Sequence, residues 1–266
     1  MLMLIHLKKD KEFMNIPSAS HKKTNDKVFE LLSSLISKQS KIVDLGAGRG
    51  HLSRRVHDFL TAKKFNSKNL LATDFDKKLF QANEVNFKQA DFNKKLPFTN
   101  SSFDIVYSIE VIEHLRCPYD FIDECYRILK PNGILIISTP NTLSLNSRLK
   151  FFITGFFEFY KPPSIKPENA GRLCGHIMPL HLAYYDYGLR KSGFGPMKLF
   201  CDKVQSRSKL LYYFLFPFLK FSHWRQMNSL ESYDLDLYNE TKHTLVNMTS
   251  YTALTSRSLL FIAKKT

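Results

Sequence analysis

The apolar positions of this chain change period several times, and each change marks an element. Over residues 26–38, Val28, Phe29, Leu31, Leu32, Leu35 and Ile36 recur at helical spacing, with Thr24 or Asn25 placed to cap. Residues 41–45 form a short run of strand character that opens into Gly46-Ala47-Gly48-Arg49-Gly50. Leu52, Val56, Phe59 and Leu60 then share one face of a second helix. Three further runs, 69–74, 87–91 and 103–109, read as buried strands, the first two closing on Asp74 and Asp91. Pro118 suits a helix's first turn, where its missing N–H has no bond to lose, and Phe121, Ile122, Cys125, Ile128 and Leu129 make that helix's inner face. Lys130-Pro131-Asn132-Gly133 stops it, and 134–139 is a fifth strand. Short strands separated by helical segments predict an α/β chain with a largely parallel sheet covered on both faces.

Beyond Pro140 the alternation fails. An aromatic stretch, Phe151 to Tyr160, gives way to Pro162-Pro163 and a loop holding Cys174, His176 and His181. A helix over 182–192 has Gly193 as its stop, and 196–201 and 257–264 pattern as a closing pair of strands, the antiparallel edge of a Rossmann-like doubly wound sheet. Between them, 203–256 is an insertion with an apolar run at 210–219, and 1–24 is a loose lead-in. This organisation predicts one domain over 1–266, with a core of 26–139, 182–201 and 257–266 and elaborations at 140–181 and 202–256.

Composition narrows the class. Hydrophobic residues make up 44% of the 266 and aromatics 14%, enough to exclude a disordered chain. The four cysteines form no C-x-x-C pair, which argues against a zinc knuckle or disulfide framework and for a reducing, cytosolic setting. Met1 to Leu7 is too short for a signal-peptide core and lacks a preceding basic segment, and no apolar run approaches the roughly 20 residues of a spanning helix. A soluble or peripherally bound protein, in the cytosol or at the inner membrane face, is the expectation. The net charge of +15 favours an anionic partner, but the basic residues are spread along the chain, so a generally lysine-rich background accounts for it equally well.

The chemistry begins at the glycine turn. A strand opening through glycines into a helix brings bare backbone to a nucleotide-like ligand at the carboxyl edge of such a sheet. The spacing here is G-x-G-x-G, and His51 stands where a dinucleotide fingerprint needs Gly or Ala. Asp44, ahead of the turn, would repel a pyrophosphate and suits a cationic ligand. S-adenosylmethionine (SAM) has an ammonium, a sulfonium and no phosphate. Asp44, Asp74 and Asp91 then stand at or near three successive strand ends, where they suit an ammonium, a ribose diol and an adenine amine. Taken singly, each acid also reads as a helix N-cap.

The ordered set Val43-Asp44-Leu45-Gly46-Ala47-Gly48-Arg49-Gly50, Asp74, Asp91, Leu96-Pro97-Phe98, Phe103-Asp104-Ile105-Val106, Glu110-Val111-Ile112-Glu113-His114-Leu115 and Leu129-Lys130-Pro131-Asn132-Gly133 strongly resembles the class I SAM-dependent methyltransferases over about residues 40–140. Asn132 departs from the family's usual Gly but is also a turn residue. The resemblance implies that Gly46, Ala47, Gly48 and Gly50 line the cofactor, with Asp44 near its amino-acid end. It implies that Asp74 holds the ribose, Phe75 flanks the adenine, Asp91 and Phe92 meet the adenine rim, and Ile109 and Glu110 lie near the methionine portion. In-line displacement at the sulfonium methyl by an oxygen needs a base, and His114 is the candidate; its bland alternative is a packing or capping histidine. Glu110, Glu113 and His114 are also similar to the metal-binding segment of small-RNA 2′-O-methyltransferases, which add a downstream histidine such as His176 or His181. The same segment occurs in metal-free relatives, so no metal is assigned.

Segments 144–157 and 176–180 resemble, more loosely, methyltransferases of lipopolysaccharide and glycan assembly. The expected acceptor is a glycan or lipid-linked small molecule. The rivals are an O-methyltransferase of quinone or aromatic metabolites, an RNA methyltransferase (for which no RNA-binding appendage is visible) and a non-catalytic SAM-fold scaffold. Residues 207–225 carry Arg207, Lys209, Lys220, Trp224 and Arg225 around the apolar run, the make-up of a peripheral membrane contact, a core helix or a dimer contact.

Overall fold

The computed structural model describes residues 16–169 and 171–266, so the expectations for residues 1–15 lie outside it. Seven strands form one sheet in the order β3-β2-β1-β4-β5-β7-β6. They are β1 (Ile42–Leu45), β2 (Leu70–Asp74), β3 (Asn86–Gln89), β4 (Phe103–Ile109), β5 (Leu129–Pro140), β6 (Lys198–Phe200) and β7 (Ser258–Lys264). Strands β1 to β5 pair parallel, and β7 runs antiparallel between β5 and β6. This is the mostly parallel sheet with an antiparallel closing pair that the hydrophobic pattern predicts. β1 has β2 on one side and β4 on the other, so the strand order reverses there and a crevice opens at its carboxyl end.

Alternation along each central strand divides the core in two. Val43, Val106 and Ile137 face one way, onto Phe121 and Ile122 of α3 (Pro118–Ile128) and Tyr185 and Leu189 of α5 (Leu182–Ser192). Their neighbours Ile42, Ile105 and Ile136 face the other, onto Val28 and Leu32 of α1 (Lys22–Leu35) and Val56 and Leu60 of α2 (His51–Ala62). Both faces of the sheet are therefore dry, which is why its strands read as near-continuous apolar runs. α4 (Leu145–Thr154) follows β5 directly.

Three boundaries differ from the sequence reading. The first helix starts at Lys22, and His21 caps it by accepting the Lys23 N–H at its Nδ1. Thr24 and Asn25 are buried in that helix's first turn, where Thr24 Oγ1 donates to Asp202 Oδ2 at 2.7 Å, so a tertiary contact overrides their capping propensity. β3 ends at Gln89, which leaves Asp91 in the loop beyond it. β5 begins at Leu129; Leu129 lies opposite Phe103 and Ile134 opposite Ile105, so Lys130 to Gly133 bulge out, with Asn132 at φ 65° in the left-handed region a turn requires.

The insertion is three helices, α6 (Ser206–Tyr233), α7 (Leu235–Met248) and α8 (Tyr251–Thr255). Its two ends meet at a neck: Val204 bridges Ser256, the Gln205 N–H donates to the Thr255 carbonyl, and the Arg257 N–H donates to the Lys203 carbonyl. Only Ser208 of α6 is buried, so the core-helix reading of 210–219 does not hold. Among the described residues no helix is long and apolar enough to cross a membrane.

Candidate functional site

The turn after β1 is pinned from both sides. Thr73 Oγ1 donates to the Asp44 carbonyl and Ser108 Oγ to the Leu45 carbonyl, both at 2.8 Å. The Gly46 and Ala47 N–H groups donate to the Thr73 carbonyl, and the Gly48 N–H donates to Asp74 Oδ2 at 2.7 Å. All three glycines have positive φ, yet they serve different ends. A side chain at Gly46 would strike Val111 Cγ2 at 2.1 Å, and one at Gly50 would meet Ala82 and Phe80 at 2.8 Å. At Gly48 it would meet nothing within 4 Å. Gly46 and Gly50 let the protein close on itself, whereas Gly48 leaves the backbone facing open space that a ligand can fill.

The acids divide likewise. Asp44 is only 3% exposed, and its Oδ2 accepts a 2.5 Å bond from Ser53 Oγ of α2. Burial pushes its carboxyl up to about 7, against the lowering effect of the Ser53 and Tyr107 hydroxyls. A cation brought to the turn would draw that proton off. Asp74 closes β2 beside the turn; its Oδ2 accepts the Gly48 N–H and its Oδ1 the Asp76 N–H at 3.3 Å. Phe75 beyond it is 65% exposed, a free aromatic face at the site's rim. Asp91 accepts the Asn93 N–H and lies 3.3 Å from Lys94, and these contacts hold its carboxyl below the usual range. The Phe92 ring is buried against Phe121, so it belongs to the core and only its backbone is left for a ligand.

At the end of β4, Ile109 is buried and Glu110 sits at φ 56°, a left-handed conformation unusual for a non-glycine. Its N–H donates to the Ser138 carbonyl, and Ser138 Oγ donates to its carboxylate. Burial raises the Glu110 carboxyl, while Arg257 and Ser258 lower it. The next turn presents Glu113 and His114. Glu113 is fully buried: Oε2 accepts from Thr139 Oγ1 at 3.2 Å, and Oε1 has no hydrogen-bond partner, with His176 Nε2 at 3.9 Å. Burial and the neighbouring Glu110 both push its carboxyl well up, toward the neutral acid. His114 is half-buried, and its Nδ1 lies 3.1 Å from the Gly175 carbonyl. A carbonyl only accepts, so Nδ1 carries the hydrogen and Nε2 is the basic nitrogen. The His176 ring stands edge-on to His114 at 4.5 Å, and burial lowers it to about 4, so it is neutral at ordinary pH. Donor atoms of Glu113, His114 and His176 lie within 4.8 Å of one another, close enough to hold an ion. His181 is elsewhere, capping α5.

Two participants escaped the sequence reading. Ser53 had a signal: it shares the inner stripe of its helix with Val56 and Leu60, so it is buried and must find a partner. Arg257 had none, because it nears Glu110 only through the antiparallel pairing of β7 with β5, in which Ser258 lies opposite Pro140.

Against known proteins, residues 43–137 match the family described as methyltransferase domain. Residues 43–137 thus carry a methyltransferase domain. The chain is 26% identical over 109 residues to a probable SAM-dependent methyltransferase of Mycolicibacterium smegmatis, covering 40% of each chain. It is 32% identical over 158 residues to a ubiquinone biosynthesis O-methyltransferase of Caulobacter vibrioides, covering 54% of this chain and 62% of the relative. The chain thus matches less than two thirds of the length of these curated relatives. A SAM-dependent methyltransferase structure from Archaeoglobus fulgidus shares the fold, with TM-score 0.53, 16% identity, and coverage of 91% of this chain and 94% of that one.

Proposed function

We propose that this methyltransferase transfers a methyl group to a hydroxyl oxygen of a glycan or lipid-linked small molecule. The carrying observation is His114, half-buried on the turn that follows β4, with its tautomer set by the Gly175 carbonyl. The SAM reading is supported by the open face of Gly48 and by Asp74 beside it. Bound SAM supplies a methyl on a sulfonium, the electrophile that an oxygen displaces. Gly48 leaves backbone open to the donor, and we assign the acceptor to the side of residues 140–181. When the acceptor oxygen takes that methyl, His114 Nε2 would receive the hydroxyl proton. Glu110 and Asp44 favour the cationic donor by their charge, and alignment of the reacting atoms accounts for much of the acceleration, about 7–11 kcal/mol in well-oriented systems.

The aromatic stretch from Phe151 to Tyr160, whose Tyr160 ring stands 5.5 Å from that of His176, supports a sugar or isoprenoid-linked acceptor, since such rings stack on apolar ring faces. A quinone or aromatic hydroxyl is the second reading, favoured by the name of the Caulobacter relative. His114→Ala tests the base: turnover should fall about 10²–10⁴-fold while SAM affinity stays within a factor of three. Equal losses in both would assign His114 to structure, and no loss would remove it from the reaction.

A further inference from the structure

α6 has two unlike faces. Toward the protein, Tyr212 packs edge-on against Tyr251 at 5.0 Å and His223 Nδ1 meets Thr249 Oγ1 at 3.2 Å. Away from it, Leu210, Phe214, Phe218 and Phe221 follow one another at three- and four-residue steps, ending at Trp224, and each is at least 59% exposed. Phe214 is 77% exposed and Phe218 71%. Folding gains nothing from such a row, and exposed apolar patches of this size mark contact sites.

Charge identifies what the row meets. From Lys203 to Leu230 the chain has no Asp or Glu, and Lys203, Arg207, Lys209, Lys220 and Arg225 are its only charged residues. α4, bonded to α6 through Asn146 N–H to Ser208 Oγ at 3.0 Å, adds Phe152 and Ile153, 86% and 71% exposed, in a second stretch without acids from Cys125 to Phe157. A second copy of this chain would set one cationic rim against another. An anionic bilayer accepts both parts, with the rings entering the headgroup boundary and the lysines and arginines staying among the phosphates. α4 also leaves the carboxyl end of β5, where Thr139 touches Glu113, so this surface begins on the site's side of the sheet.

We propose that the outer face of α6, with the end of α4, docks the protein on an anionic membrane surface and brings the site to an acceptor held in the bilayer. The docking stands without the methyl-transfer reading; only the delivery of the acceptor rests on it. The test is co-sedimentation with phosphatidylglycerol vesicles at low salt. The wild-type protein should pellet with them and not with phosphatidylcholine vesicles. Phe214→Ser with Phe218→Ser, and separately Lys220→Glu with Arg225→Glu, should each weaken binding about tenfold or more, with SAM affinity and circular dichroism unchanged. A wild-type protein that stays in the supernatant overturns the proposal, as do variants that bind as well as wild type. So does a concentration-dependent dimer abolished by the same substitutions, which would make the face a self-contact. Because the readout is pelleting, a protein that docks but does not methylate retains this proposal and loses the other.

Discussion

Asp44→Asn isolates the cost of a buried carboxylate under the glycine turn. The amide keeps the shape and an oxygen to accept from Ser53 Oγ, and removes only the ionisation. Asp44 is raised from 3.8 to about 7 in the fold, so the native state holds a proton there that the unfolded chain has lost. The stability carried by that proton is fully present below about 3.8 and is lost as pH rises through about 7. A rise of that size is worth about 4 kcal/mol, or roughly 10 °C in Tm for a chain of this length. The Asn variant should therefore match wild type near pH 4 and melt progressively higher than it up to about pH 7, beyond which the gap is constant. His176, lowered to about 4, tilts both proteins the opposite way over the same range and cancels in the difference. SAM should narrow the gap at pH 7, because a cation beside Asp44 favours its charged form, and its affinity for wild type should rise with pH through 7 while that of the variant does not. Thermal melts of both proteins between pH 4.5 and 8, with and without SAM, read all of this. A gap that does not change with pH would mean that Asp44 ionises as an ordinary exposed aspartate, and the argument from burial would fail.

The glycines should separate by phenotype. Gly46→Ala should fail to fold stably because its methyl lands on Val111, whereas Gly48→Ala should cost about 1–2 kcal/mol of stability from its left-handed φ and lose SAM affinity by a larger factor, as melts and titration would show. Glu113→Gln should leave Tm within about 2 °C at pH 7, since burial and Glu110 push this carboxyl toward the neutral acid that Gln mimics; a drop of about 3–5 kcal/mol would instead reveal a buried ion pair with His176. Turnover should survive a strong chelator, because burial and Glu110 push the Glu113 carboxyl toward the neutral acid, which is a poor ligand, and a loss restored by added Mg²⁺ or Mn²⁺ would give the Glu113, His114 and His176 cluster to a metal instead. Arg127→Ala should destabilise by about 2–3 kcal/mol in denaturant, since its guanidinium binds Glu124 and the carbonyls of Leu96 and Phe98.

The donor half of the molecule was legible because its signals are local. A strand, a glycine turn and an acid at the next strand end lie within about thirty residues, and period alone locates β1, β2, β4, α2 and α3 to within a residue or so. Gly193 stopping α5 at φ 101° is a signal of the same kind. What the sequence hid depends on distant pairing. Thr24 and Asn25 look like caps until Asp202 and Ser18 claim their side chains. Arg257 joins the site only when β7 enters the sheet backwards, and the approach of His176 to Glu113 at 3.9 Å joins residues sixty-three apart. The apolar run of α6 looked equally like core and surface, because composition does not say whether another element is left to cover it.

The neck of the insertion has a consequence for how such a protein changes. Where Val204 meets Ser256, the outgoing and returning chains lie side by side, so β6 and β7 would be as well served by a tight turn there as by three helices. Everything between is a cassette hung on a closed stem. Lengthening, trimming or exchanging it leaves the strand order and the glycine turn untouched. A lineage carrying this fold can therefore move from one surface, and one kind of acceptor, to another while its methyl donor stays the same.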